Sequence, residues 1–267
     1  MDPRRAAVVP RRAASAAEAR ALVGEEGAAI VSGIADEQAA IAFARAMLGE
    51  DLRRVGRQIE ASRSAAARDG AIARAQPADA RGRRRDLSAD TTVPMPPHND
   101  GFAFGDEAPD RLLLLQVRPA RTGGENFLLD GLALLGEVPA DLRRFAWSVP
   151  VDHSEPGFPQ STPSPIARTT PGNRVQVRHH EFLAPVRGAA EVDQWPFLEA
   201  WHAAADTARD GGARFRLEAG EMAVVDNYRM LHGRHGYDDP QRLLYSIWGW
   251  TTDAVAVPSG DLDFVGV

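Results

Sequence analysis

"VVDNYRMLHGRHGYDDPQRLLYSIWGW" (residues 224–250) opens at the end of one apolar strand and closes inside another. The run "RFRLEAGEMAVVDN" (214–227) reads as a strand, a turn and a second strand. "RLLYSIWGWT" (242–251) reads as a last strand, rich in aromatics. Apolar, β-branched and aromatic runs bounded by Gly, Asp, Asn and Pro are the usual mark of strands. Strand follows strand, and His232 falls in the polar segment between two of them.

Working upstream, "RLLLLQVRP" (111–119) is a short apolar run predicting a buried strand, and "ENFLLDG" (125–131) predicts another after the Gly123-Gly124 turn. "NRVQVRHHEF" (173–182) alternates like a strand. Helical patterns lie mostly outside this set. They are "SAAEARALVGEEG" (15–27), "DEQAAIAFARAMLG" (36–49), "GLALLGEVPADLRRFAW" (131–147, interrupted near Pro139) and "DQWPFLEAWHAAADTARDGG" (193–212). "AAIVSGI" (28–34) supplies an early strand. Helices come first, then many strands with one inserted helix, and there is no repeat. The pattern predicts a mainly β, α+β protein: an antiparallel barrel or sandwich with peripheral helices. Residues 51–92 are rich in Arg and Asp, and 153–173 in Pro, Ser and Thr. Both are expected to cover the core as loops. The length of 267 residues fits a single domain over 1–267.

Composition narrows the chemistry. A net charge of −6 and a pI near 5.7 give no basis for non-specific nucleic-acid binding. No apolar run approaches the roughly 18–20 residues that span a bilayer, and the N-terminus has no long apolar signal region. A cytoplasmic protein acting on a small molecule is the expectation. Cysteine is absent, which excludes disulfides, thiolate ligands and cysteine nucleophiles. Lysine is absent too: all 31 basic side chains are arginine, so Schiff-base chemistry is excluded.

"PPHNDGFAFGD" (96–106) carries a His-x-Asp pair, His98 and Asp100. Alone the pair is weak, and "VDHSEPG" offers a competing one in His153 and Glu155. Context separates them. His98 precedes a predicted buried strand, whereas His153 opens a Pro/Ser-rich loop, and metal ligands need rigid support. His232 adds a second imidazole. Two histidine nitrogens and one carboxylate oxygen form the facial set favoured by non-haem Fe(II) oxygenases, with open positions for a bidentate 2-oxo acid and oxygen. A 2-oxo diacid needs a cation for its far carboxylate, and Arg242 can meet it through two parallel N–H···O bonds.

Four pieces in order then resemble one family: "HND" (98–100), "TGGENFLLD" (122–130), "DNYRMLHGR" (226–234) and "PQR" (240–242). "GAAIVSGI" is also similar to that family's opening strand. They resemble the TauD/TfdA group of Fe(II)- and 2-oxoglutarate-dependent dioxygenases, in the clavaminate-synthase-like superfamily. The resemblance implies a double-stranded β-helix (jelly-roll) core. It implies Fe(II) on His98, Asp100 and His232, and 2-oxoglutarate on Arg242. Asn126 stands where the family often has a threonine that helps hold 2-oxoglutarate, and its amide can also donate. O2 would cleave 2-oxoglutarate to succinate and CO2 while an unactivated C–H is hydroxylated. Because Asp100 is a carboxylate, the halide position of related halogenases is filled.

Relatives that bind anionic substrates often carry a second arginine near the position of Tyr245 or Ser246, where this chain has none. Arg178, in "VQVRHHEF", is the candidate for a substrate carboxylate, as in an amino acid or a natural-product intermediate. Two other readings stay open on the residues alone: a jelly-roll binding protein without redox chemistry, and a zinc or manganese hydrolase using the same three ligands.

Overall fold

Four consecutive leucines at 112–115 are explained by a strand covered on both faces. The computed structural model, which describes residues 2–55, 59–60, 91–154, 163–186, 188, 191–239 and 241–259, places that strand inside a large sheet. In chain order the strands are β1 (Ala7–Val8), β2 (Arg11–Arg12), β3 (Ala28–Val31), β4 (Leu52–Val55), β5 (Ile59–Glu60), β6 (Met95–His98), β7 (Arg111–Arg118) and β8 (Asn126–Asp130). There follow β9 (Val151–Asp152), β10 (Ala167–Thr169), β11 (Val175–Val177), β12 (Ala184–Pro185), β13 (Glu221–Asp226), β14 (Met230–Arg234) and β15 (Leu243–Thr251). The α-helices are α1 (Ala16–Glu26), α2 (Glu37–Leu48), α3 (Gly131–Glu137), α4 (Ala140–Ser148) and α5 (Glu191–Gly211). The protein is therefore α+β, with mixed sheets and flanking helices.

The large sheet runs β2-β3-β13-β7-β15-β4, with β5 also on β15; the smaller runs β1-β8-β14-β6. Strand alternation sorts side chains into layers. Leu112 and Leu114 of β7, Ala223 and Val225 of β13, and Leu244, Trp248 and Trp250 of β15 form one apolar cluster with Leu128 and Met230 of the smaller sheet. Leu113, Leu115, Met222, Val224 and Ile247 point the other way, onto α1 and α2. Phe127, Leu129 and Leu231 leave the far side of the smaller sheet and pack on α3, α4 and α5. On β15 the same parity sets Ser246 on the inner face, between Leu244 and Trp248.

The early helices follow the sequence closely. Ser15 and Asp36 cap α1 and α2 by accepting from Glu18 N and Ala39 N, and Gly27 closes α1 at φ 85°. Four expectations need correction. His232 lies within a strand, β14, not between strands. "NRVQVRHHEF" is a strand only over Val175–Val177, because His180 turns back to accept from the Phe182 peptide N–H. Phe215 makes an isolated bridge to Asn126 rather than a strand of its own. Within the two expected cover segments, Leu52–Val55, Ile59–Glu60 and Ala167–Thr169 are strands. Positions 56–58 and 61–90 of the first lie outside the described residues, as do 155–162 of the second, which include Glu155.

Candidate metal centre

β6 is an edge strand of the smaller sheet, which is where two consecutive prolines, Pro96 and Pro97, are tolerated. It pairs antiparallel with β14 in a register that puts His98 directly opposite His232. The two rings stand 4.2 Å apart between centroids. A turn after His98 then carries Asp100 back over them. Asp100 Oδ1 lies 3.4 Å from His98 Nε2 and 3.3 Å from His232 Nε2. One ligand atom from each of the three residues falls within 4.8 Å of the others.

The turn is held by two buried asparagines. Asn227 accepts from the Asp100 peptide N–H at 3.0 Å and donates to the Asp100 and Pro109 carbonyls. Asn99 donates to the Asn227 and Met230 carbonyls and accepts from the His179 N–H. Gly101, at φ 72°, lets the chain lie against Pro109, where a Cβ would come within 2.6 Å. These amides join the turn between β6 and β7 to the β13–β14 turn, so the sequence "DNYRMLHGR" supports Asp100 as well as His232.

Electrostatics match a cation site. Burial alone would push the Asp100 carboxyl up, but His232 and His98 hold it well below the usual carboxylate range. Burial, with His98 alongside, pushes His232 down. His98 is also buried, yet Asp100 raises it. His98 Nδ1 lies 3.0 Å from the Pro96 carbonyl and can donate its proton there, which makes Nε2, the nitrogen facing Asp100, the ligand atom. His232 Nε2 is buried with no hydrogen-bond partner. Two imidazole nitrogens, one of them the orphaned Nε2 of His232, and one ionised oxygen form a three-donor set that fits a divalent transition metal.

A cavity of about 160 Å³ opens from these three residues. Apolar cavities of about 150 Å³ accept a benzene, so a small organic acid fits here. Met95, Leu114 and Leu244 supply apolar wall, and Asn126, Arg234 and Arg242 supply polar groups. Arg242 is 4% exposed, and its guanidinium stands 4.8 Å above the Tyr237 ring. Gly124 makes room for it: a Cβ there would lie 3.3 Å from Arg242 Nε. Burial lowers the Arg242 pKa, with nearby Arg216 adding to the effect. Arg234, not singled out from the sequence, lines the same cavity and donates to the Thr91 and Val93 carbonyls. Pro240 of the "PQR" piece lies outside the described residues.

Arg178 is not among the residues lining this cavity. It is 2% exposed, donating to Ser164 Oγ at 2.7 Å and to the Phe102 carbonyl, with its Nε–H unpartnered. Burial, with nearby Arg168, lowers it to about 10. His153, the competing histidine, belongs to this second cluster and not to the Asp100 site. A chain of bonds fixes its tautomer. The Phe182 N–H donates to His180 Nδ1, so His180 Nε2–H donates to His153 Nδ1, and His153 Nε2–H donates to the Ser164 carbonyl.

Burial, reinforced by neighbouring positive groups including Arg178, holds both histidines well below their ordinary value. The unfolded chain therefore takes up protons first as pH falls below about 6.5. Stability is expected to drop from there down towards the folded-state values, by up to about 1.4 kcal/mol per pH unit for each histidine. Urea denaturation at pH 7, 6 and 5 measures this. A stability that is flat over that range contradicts the neutral chain.

The structure is similar to an asparagine oxygenase in complex with Fe(II), 3-hydroxyasparagine and succinate, with a TM-score of 0.61 and 17% identity over 89% of this chain and 78% of that one. It is similar to PvcB from Pseudomonas aeruginosa, with a TM-score of 0.59 and 14% identity over 89% and 80%. A taurine dioxygenase from Burkholderia xenovorans gives 0.60 and 19% over 88% and 80%. At such identities the likeness is one of fold. A sequence search of curated proteins finds no match. The family model described as "Taurine catabolism dioxygenase TauD, TfdA family" matches residues 6–248. With nearly the whole chain matched, the protein belongs to the TauD/TfdA family of dioxygenases, which use Fe(II), 2-oxoglutarate and O2.

Proposed function

We propose that this protein hydroxylates an unactivated C–H bond of a small molecule, with 2-oxoglutarate consumed to succinate and CO2. The observation carrying this reading is that His98, Asp100, His232 and Arg242 line one cavity. A buried guanidinium on the same cavity as three ligand side chains suits a diacid that meets a metal at one end and a cation at the other. His98, Asp100 and His232 hold the iron, and the two sheets are read as the halves of a jelly roll around it. When bound, Fe(II) supplies the oxygen activation that no side chain can.

The chain's own groups do the rest. Arg242 receives the distal carboxylate of 2-oxoglutarate through its planar fork. Asn126 offers an amide donor in the same cavity. Met95, Leu114 and Leu244 exclude water around the co-substrate. Arg178 does not line the cavity as it stands, and is read as the anchor for a substrate carboxylate through its unpartnered Nε–H. Among the described residues it makes no ion pair, and a buried cation gains most from an anionic partner. Through the Phe102 carbonyl it is tied two residues from Asp100. The substrate class that follows is a small carboxylate, such as an amino acid or a natural-product intermediate.

Anaerobic protein mixed with Fe(II) and 2-oxoglutarate is expected to develop the weak visible charge-transfer band of a metal-bound 2-oxo acid, and to release succinate once oxygen is admitted. Absence of both overturns the reading. Hydrolysis that needs neither oxygen nor 2-oxoglutarate would point to a metal hydrolase instead.

A further inference from the structure

We propose that Ser246 and Trp248 are positioning residues that hold the Asp100 carboxylate by one oxygen, leaving the other for the metal. The inference rests on the metal-site reading above and concerns side chains to which no role has been given. Asp100 Oδ2 accepts two hydrogen bonds, from Ser246 Oγ at 2.8 Å and from Trp248 Nε1 at 2.8 Å. Oδ1 is the oxygen that faces the two histidines. The carboxylate is thus divided, with Oδ2 saturated by donors on the large sheet and Oδ1 turned towards the imidazoles on the smaller one.

Both donors are rigid. Ser246 is 4% and Trp248 5% exposed, and strand alternation places them two residues apart on the inner face of β15. The indole is wedged edge-on against Phe104 and against Trp250, at 5.8 and 6.2 Å between centroids. The bare backbone of Gly101 also lies close to it: a Cβ there would be 3.5 Å from the ring. A carboxylate free to rotate could offer both oxygens and occupy an extra position on the ion. Two fixed donors on Oδ2 disfavour that state, preserving the open positions that 2-oxo acid and oxygen require. Ser246 lies where anion-binding relatives are expected to carry an extra arginine, and here its hydroxyl is committed to Asp100.

The test uses the full chain and Co(II), whose visible spectrum reports coordination number, together with equilibrium dialysis and tryptophan fluorescence. Wild type is expected to bind one Co(II) with a change in fluorescence, since the Trp248 indole touches a ligand. S246A and W248F are each expected to weaken binding about ten-fold or more and to alter the Co(II) spectrum. S246T, which keeps a hydroxyl, is expected to restore both. If S246A and S246T bind Co(II) as wild type does, with its spectrum, the proposal is overturned while the metal site stands. If wild type binds no Co(II), the metal-site reading itself falls and takes this one with it. Should W248F fail to fold, the serine pair decides alone.

Discussion

Replacing Asp100 with alanine should abolish metal retention and turnover together. Partners that only support a ligand are worth 10–100-fold in affinity; loss of one of three ligands should therefore exceed about 100-fold for Fe(II). The substitution also strands two buried donors, Ser246 Oγ–H and Trp248 Nε1–H, at a cost of about 1–3 kcal/mol each. Asp100→Asn is the useful companion, because its side-chain carbonyl can still accept from both while the ionic ligand is lost. The expected result is a folded Asn variant that retains almost no iron in dialysis and releases no succinate. Wild-type iron content in either variant, or a loss of turnover seen only in His153→Ala, would mean that the wrong His-x-acid pair has been assigned.

The second large effect is expected at Arg242. Arg242→Lys keeps a positive charge but removes the planar fork, and a shorter reach of donors remains to meet a carboxylate. Affinity for 2-oxoglutarate should fall about ten-fold or more, equivalent to at least about 1.4 kcal/mol. Fe(II) affinity in the absence of 2-oxoglutarate should not change, because Arg242 does not touch the three ligands. A titration of the visible band with 2-oxoglutarate separates the two quantities. An unchanged midpoint rejects the assignment of Arg242.

Legibility varied along the chain for physical reasons. Leu112–Leu115 announced a strand buried on both faces because apolar side chains stand at consecutive positions. The helix ends at Ser15, Gly27 and Asp36 were readable because capping is local chemistry. The strand Met95–His98 was hidden by Pro96 and Pro97, which are compatible with a strand only at a sheet edge, and edge position is a tertiary fact. His232 reads as lying between two strands because "DNYRMLHGRHG" is broken by polar and glycine residues. Gly233 is required there by the close approach of Phe127, whose ring a Cβ would meet at 2.3 Å. His98, Asp100, His232 and Arg242 were found as a set because their order resembles a family, not because any one of them stands out. The roles of Asn99, Ser246 and Trp248 leave no trace beyond residue type. The Trp248 ring packs in the core, while its N–H serves Asp100.

The division of Asp100 between two sheets has a mechanical consequence. One oxygen is fastened to β15 of the large sheet, and the other faces histidines on β6 and β14 of the smaller one. An ion bound there acts as a rivet through one end of the sandwich, where no covalent cross-link exists in a chain without cysteine. Iron loading and resistance to unfolding are then a single thermodynamic quantity. Each ten-fold excess of free metal over its dissociation constant would raise stability by about 1.4 kcal/mol, so iron bound at the proposed site would brace the scaffold as well as supply the chemistry.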